Sequence, residues 1–133
     1  MGQQQLLLIV LGVIIVGIAV AVGITMFAGG AAQANFNAVM NDLQKVAADA
    51  QGWYRTPASL GGGGNTFTDI TLSNVGANAS NVNGTYSITG TPSATNFVVQ
   101  GVGVEDGDGD GTNVTISIIV YADSNSTPTI TSR

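Results

Sequence analysis

LLLIVLGVIIVGIAVAVGITMFAGGAA, residues 6–32, is a 27-residue run without a single charge. As an α-helix rising 1.5 Å per residue it would reach ~40 Å, against ~30 Å for the hydrocarbon core of a bilayer. It is apolar on every side, so no surface helix of a water-soluble domain fits it. Such a rod must be surrounded by lipid or by other copies of itself. The run does not stop at a turn. Residues 33–54 lack proline and place Phe36, Val39, Met40, Leu43, Val46, Ala47, Ala50 and Tyr54 at three- and four-residue steps between polar side chains. That is an amphipathic helix continuing the apolar one. Gly52 and Thr56-Pro57 are the first stop signals, so a single helix of ~78 Å is expected over residues 3–54.

Composition narrows the functions open to the chain. Its 133 residues carry three Lys/Arg against eight Asp/Glu, a net charge of −5, with no cysteine and no histidine. Thiol nucleophiles, disulfides, zinc-thiolate sites and histidine bases are therefore absent. So few cations give phosphate nothing to meet, and no nucleic acid is expected as a partner. No catalytic constellation emerges; the chain reads as a non-enzyme. Residues 1–5 (MGQQQ) carry no Lys or Arg, and the apolar run exceeds the core of a secretory signal. Cleavage near Gly29–Ala32 is disfavoured, since it would strand the amphipathic half.

Four segments follow from these patterns: an apolar helix (1–32), an amphipathic helix (33–54), a Gly-rich loop (55–65, RTPASLGGGGN) and a β domain (66–133). The loop's four glycines read as flexible or closely packed against a neighbour. Strand-like runs fall at 67–72, 85–89, 96–104 and 114–122. In the last, Val114, Ile116, Ile118 and Val120 share one face. The expected fold is α+β, one long N-terminal helix packed by its C-terminal half on a small, roughly four-stranded antiparallel sheet. Phe36, Met40, Leu43, Ala47, Ala50 and Tyr54 would form the helix–sheet core. Trp53 and Tyr54 read as core or interface packing.

Three further features carry chemistry. Glu105-Asp-Gly-Asp-Gly-Asp-Gly111 puts Asp106, Asp108 and Asp110 at positions 1, 3 and 5 of a calcium-loop pattern. Position 12 is Ser117 rather than glutamate, so a calcium site and a plain polar hairpin tip both stay open. No other cofactor is expected. Asn78, Asn83, Asn113 and Asn125 each begin an Asn-x-Ser/Thr sequon, the acceptor pattern for N-linked sugar. Glycines 12, 17, 23, 29 and 30 interrupt the apolar helix, either for close helix approach or as local soft points.

An N-terminal apolar helix running into an amphipathic half that backs a small antiparallel sheet resembles the type IV pilin family. The motif-level likeness is confined to residues 1–32. The resemblance implies processing by a prepilin peptidase, N-methylation of the new first residue (Met1 here), and a single-pass stay in the inner membrane. Assembly machinery would then extract the chain into a helical homopolymer of identical subunits, an extracellular filament at the cell surface. Leu6, Leu8, Gly12, Ile15, Gly17, Ala21, Gly23 and Phe27 would pack its core. Gln3, Gln4 and Gln5 would pack around the N-terminus. Gln5 departs from the glutamate common at that place in pilins, so it offers a neutral hydrogen bond in place of a charge-assisted one. A pseudopilin of a secretion system and a membrane-anchored binding domain acting as a monomer are the alternatives.

Overall fold

In the computed structural model, which describes residues 2–133, Gly2–Arg55 forms one uninterrupted α-helix, α1, of 54 residues and about 80 Å. The expectation at Met1 lies outside the described residues. The helix is continuous through the junction of the apolar and amphipathic halves, despite the five glycines of the apolar run. Thr56 closes the helix by donating both its main-chain N–H (3.1 Å) and its hydroxyl (2.9 Å) to the Gly52 carbonyl. Pro57 then has no N–H to carry the ladder on. The Gly-rich loop is closely packed where it meets the helix. A Cβ on Gly63 would fall 2.6 Å from the Trp53 ring, and the Trp53 indole N–H donates to the Gly61 carbonyl at 3.1 Å.

The sheet has five antiparallel strands in chain order: β1 (Ser80–Asn81), β2 (Gly84–Thr89), β3 (Asn96–Gly103), β4 (Thr115–Tyr121) and β5 (Thr129–Ser132). The α+β architecture stands, with one strand more than expected and a different first strand. Residues 67–72 are not a strand. Phe67 and Ile70, three positions apart, both enter the core from a turn-rich segment that ends in a 3₁₀ turn, Ser73–Val75. The Ile70 N–H returns to the Phe67 carbonyl, and Asn74 Oδ1 accepts the Thr71 N–H. Local side-chain and main-chain bonds thus replace a ladder. The two-residue β1 and the Thr-rich β5, which follows Pro128, carry too little alternation to be recognised in isolation.

β3 and β4 are the centre of the sheet. Their register sets Phe97 opposite Val120, Val99 opposite Ile118 and Gly101 opposite Ile116. These side chains and Val114 are buried against α1, as the alternation required. From the helix, Val39, Leu43, Ala47 and Ala50 lose all exposure, while Phe36, Met40 and Tyr54 lie half-buried at the edges of this core. Phe67 bridges the two layers, its ring centroid 4.6 Å from Tyr54 and 5.2 Å from Phe97.

The helix approaches the sheet closest over β3's glycines. A Cβ on Gly103 would lie 2.1 Å from Asn35 Oδ1, and one on Gly101 would lie 2.7 Å from Val39. Gly103→Ala is therefore expected to cost about 1–3 kcal/mol by overpacking. Leu43→Ala should cost about 3 kcal/mol through the cavity it leaves. Both read as lowered denaturant midpoints of the detergent-solubilised chain; unchanged midpoints would contradict this packing.

Candidate functional site: an exposed apolar rod and the polar seam behind it

The largest chemical feature of the chain is α1's apolar half. From Leu6 to Phe27 its large apolar side chains run from 50% exposed at Val22 to 81% at Phe27. No described residue covers them. Gln3, Gln4, Gln5, Leu6, Leu8, Gly12, Ile15, Gly17, Ala21, Gly23 and Phe27 all lie on this protruding, solvent-exposed rod. A Cβ on Gly12, Gly17 or Gly23 would meet no atom within 4 Å, so these positions leave shallow notches on its surface. The only hydroxyl in the span, on Thr25, turns back to the Val22 carbonyl at 2.8 Å, which satisfies it without water. α1 is long and apolar enough to cross a membrane.

Where the rod enters the domain, polar residues on the helix face pin it to the sheet. Asn35, 8% exposed, donates Nδ2 to the Asn83 carbonyl at 2.7 Å and accepts the Val104 N–H at 3.0 Å. Two turns on, Asp42 Oδ2 receives Asn81 Nδ2 and Asn83 Nδ2, each at 2.9 Å, and the Tyr86 hydroxyl. Gln51 Nε2 reaches the Tyr121 carbonyl at 3.1 Å, and an Arg55 guanidinium N–H reaches that of Ala122 at 3.4 Å. Burial pushes the Asp42 carboxyl up, but the bonds from Tyr86, Asn83 and Asn81, with Lys45 nearby, outweigh it and hold it below the usual value. Burial and then the bonded carboxylate raise the Tyr86 hydroxyl, which stays a donor at neutral pH. The apolar spacing puts Asp42 among the polar residues between the stripe positions and does not mark Asn35. Their only signal was position, i and i+7 beside the apolar stripe.

The acidic segment is the β3–β4 connection, held at the level where the apolar rod ends. A Cβ on Gly107 would come 2.8 Å from Ala32, and the N–H groups of Gly107 and Asp108 both donate to the Arg133 carbonyl. Asp106, Asp108 and Asp110 converge, with carboxylate oxygens within 4.8 Å of one another. The same carboxylates also accept main-chain N–H groups of the loop. Asp106 accepts the Gly109 N–H at 2.7 Å and the Gly111 N–H at 2.8 Å, and Asp110 accepts the Thr112 N–H at 2.7 Å. The Gly111 bond, with that of Gly109, holds the Asp106 carboxyl below its ordinary value. Ser117 lies well inside β4, and no helix flanks the loop. The hairpin tip closes on its own main chain.

The four sequons meet four different environments. Asn78 is exposed, Asn83 is half-buried against Asp42, Asn113 donates to the Gly103 carbonyl at 3.1 Å, and Asn125 is held by Gln51. No family model, curated protein or solved structure matches this chain.

Both lowered carboxyls set a pH dependence. A depressed folded-state pKa adds stability above the unfolded value, ~3.9 for aspartate, and that contribution is lost as pH falls through the folded value. The domain should thus hold its unfolding midpoint from neutral pH down to about 4 and lose it below. Asp42→Asn should lower the midpoint at pH 7 and flatten the acid limb. An acid limb identical to the parent's would show that Asp42 is not coupled to the fold.

Proposed function

We propose that this chain is the structural subunit of a type IV pilus-like extracellular filament, which polymerises through the apolar half of α1. One observation carries the reading: an exposed apolar rod is continuous, in one α-helix, with the segment that forms the domain's core. A lipid anchor alone needs only to be apolar. A rod rigidly joined to its domain also fixes where each domain sits once rods are bundled, which is what a polymer with a regular repeat requires.

The same surface serves two environments. In lipid its side chains meet acyl chains. In a bundle of identical rods they meet one another, and the notches at Gly12, Gly17, Ala21 and Gly23 let backbones approach closely. Outside the membrane the bundle is held by the hydrophobic effect, since a rod leaving it would expose apolar surface at ~25 cal/mol per Å². A heterologous contact of this kind that does not close into a ring extends as a helix. In this reading the chain catalyses nothing. Prepilin peptidase and assembly machinery are its transient partners, and identical subunits its lasting ones.

Shearing the producing cells and imaging the released material should yield thin filaments containing this chain. Ile15→Asp places a carboxylate mid-rod, at about 2.5–3.5 kcal/mol in a bilayer. It should abolish filaments, while the domain keeps the parent's unfolding midpoint. Chain found only as single copies in the membrane fraction, with no sheared polymer, would overturn the proposal.

A further inference from the structure

An asparagine accepts N-linked sugar only if its side-chain amide and the hydroxyl two residues on can enter a transferase together. That needs a tripeptide that is exposed and whose amide side chain is not already bonded elsewhere, and the four sequons differ sharply on this point. At Asn113 the next two residues, Val114 and Thr115, are buried, and the amide is engaged by the Gly103 carbonyl. At Asn83 the amide is held by Asp42, and Gly84 is packed so tightly that a Cβ would lie 2.1 Å from the Val102 carbonyl oxygen. Asn125 uses both ends of its amide, accepting from Gln51 at 3.2 Å and donating to Gln44 at 3.5 Å, and its main chain bridges to Val120.

Asn78-Ala79-Ser80 is different. All three residues are exposed, and among the described residues no hydrogen bond engages the Asn78 side chain. The tripeptide's main chain is tied at the sheet's edge, where the Ala79 carbonyl accepts the Tyr86 N–H at 2.8 Å and Ser80 begins β1 opposite Thr85; it is the side chains that stay unbonded. The tripeptide borders an open cleft of about 260 Å³ that Asp42, Lys45, Asn81 and Tyr86 also line. Asn81 and Tyr86 are bonded to Asp42 there, and the exposed Lys45 ammonium is the donor that a sugar's hydroxyls can meet.

We infer that Asn78 is the one sequon of the four that carries N-linked sugar, its first residue resting on the Asp42–Lys45–Tyr86 cleft. The donor is an oligosaccharide on a membrane lipid phosphate or pyrophosphate, brought by a membrane transferase. Asn78 Nδ2 bonds to the anomeric carbon as the carbon–oxygen bond to phosphate breaks. The lipid phosphate leaves with the electron pair, and the amide proton passes to a base on the transferase. No electrons are gained or lost by either partner.

The inference shares with the filament reading a domain facing outward from the membrane, and does not depend on polymerisation. A filament built of sugar-free chains would sink this inference alone; a glycosylated chain that never polymerises would sink the other alone. The test is intact-mass and peptide-level mass spectrometry of the chain from the cells that make it, with fragmentation between Asn78 and Asn83. The expected result is an intact mass above that of the polypeptide in hexose-sized steps, all of it on Asn78. Asn78→Gln should return the chain to its polypeptide mass with an unchanged unfolding midpoint. An unmodified parent chain, or sugar found on Asn83, Asn113 or Asn125, would overturn it.

Discussion

The structure depends on one mismatch: a helix of about 80 Å in which only the C-terminal part has anything to lie against. The sheet covers α1 from Ala32 onward and leaves everything before it uncovered. Burial of Val39, Leu43, Ala47 and Ala50 anchors the domain to the rod, so the domain's position along the rod is set by packing. The uncovered half has no such internal solution. Its apolar surface must be met by lipid or by another chain, and that requirement is the basis of the functional reading.

Close packing of helix on sheet is achieved with small residues and a line of polar bonds instead of bulk. β3 contributes large side chains at one end, Phe97 and Val99, and glycines at the other, Gly101 and Gly103. The helix consequently lies nearest the sheet at the end where the rod emerges. In that narrow gap Asn35 fills the space and satisfies main-chain groups of β3 and the β1–β2 turn that the helix would otherwise cover. Asp42 repeats the device on the hairpin. Buried polar groups are costly when unpaired, and no buried side-chain polar atom among the described residues lacks a partner. The rod is thus fixed in rotation as well as in depth, because these bonds, unlike apolar contacts, are directional.

The acidic loop shows how the same residues can suggest two chemistries. Alternating Asp and Gly is what a cation loop needs, and equally what a tight turn needs, because glycine relieves positive φ and aspartate accepts nearby N–H groups. Gly109 and Gly111 adopt positive φ, and the carboxylates of Asp106, Asp108 and Asp110 accept N–H groups two to five residues on.

Long-range order in one dimension was legible from residues alone. The unbroken helix, its end at Thr56-Pro57, the buried stripe from Phe36 to Tyr54 and the inward face of β4 all follow from periodicity, which is a local property. What periodicity could not supply were features defined by two distant segments. Phe67, Ile70 and Leu72 set among threonines imitate a strand by composition, yet Phe67 and Ile70 are core residues on turns, because their neighbours bond locally. β1 and β5 exist only because β2 and β4 hold them. Asn35 and Asp42 are polar residues on a helix until the hairpin arrives with its carbonyl and its donors. The difference between Asn78 and the other three sequons has the same origin: one sequence motif, read four times, is accessible only where tertiary packing leaves its amide unbonded.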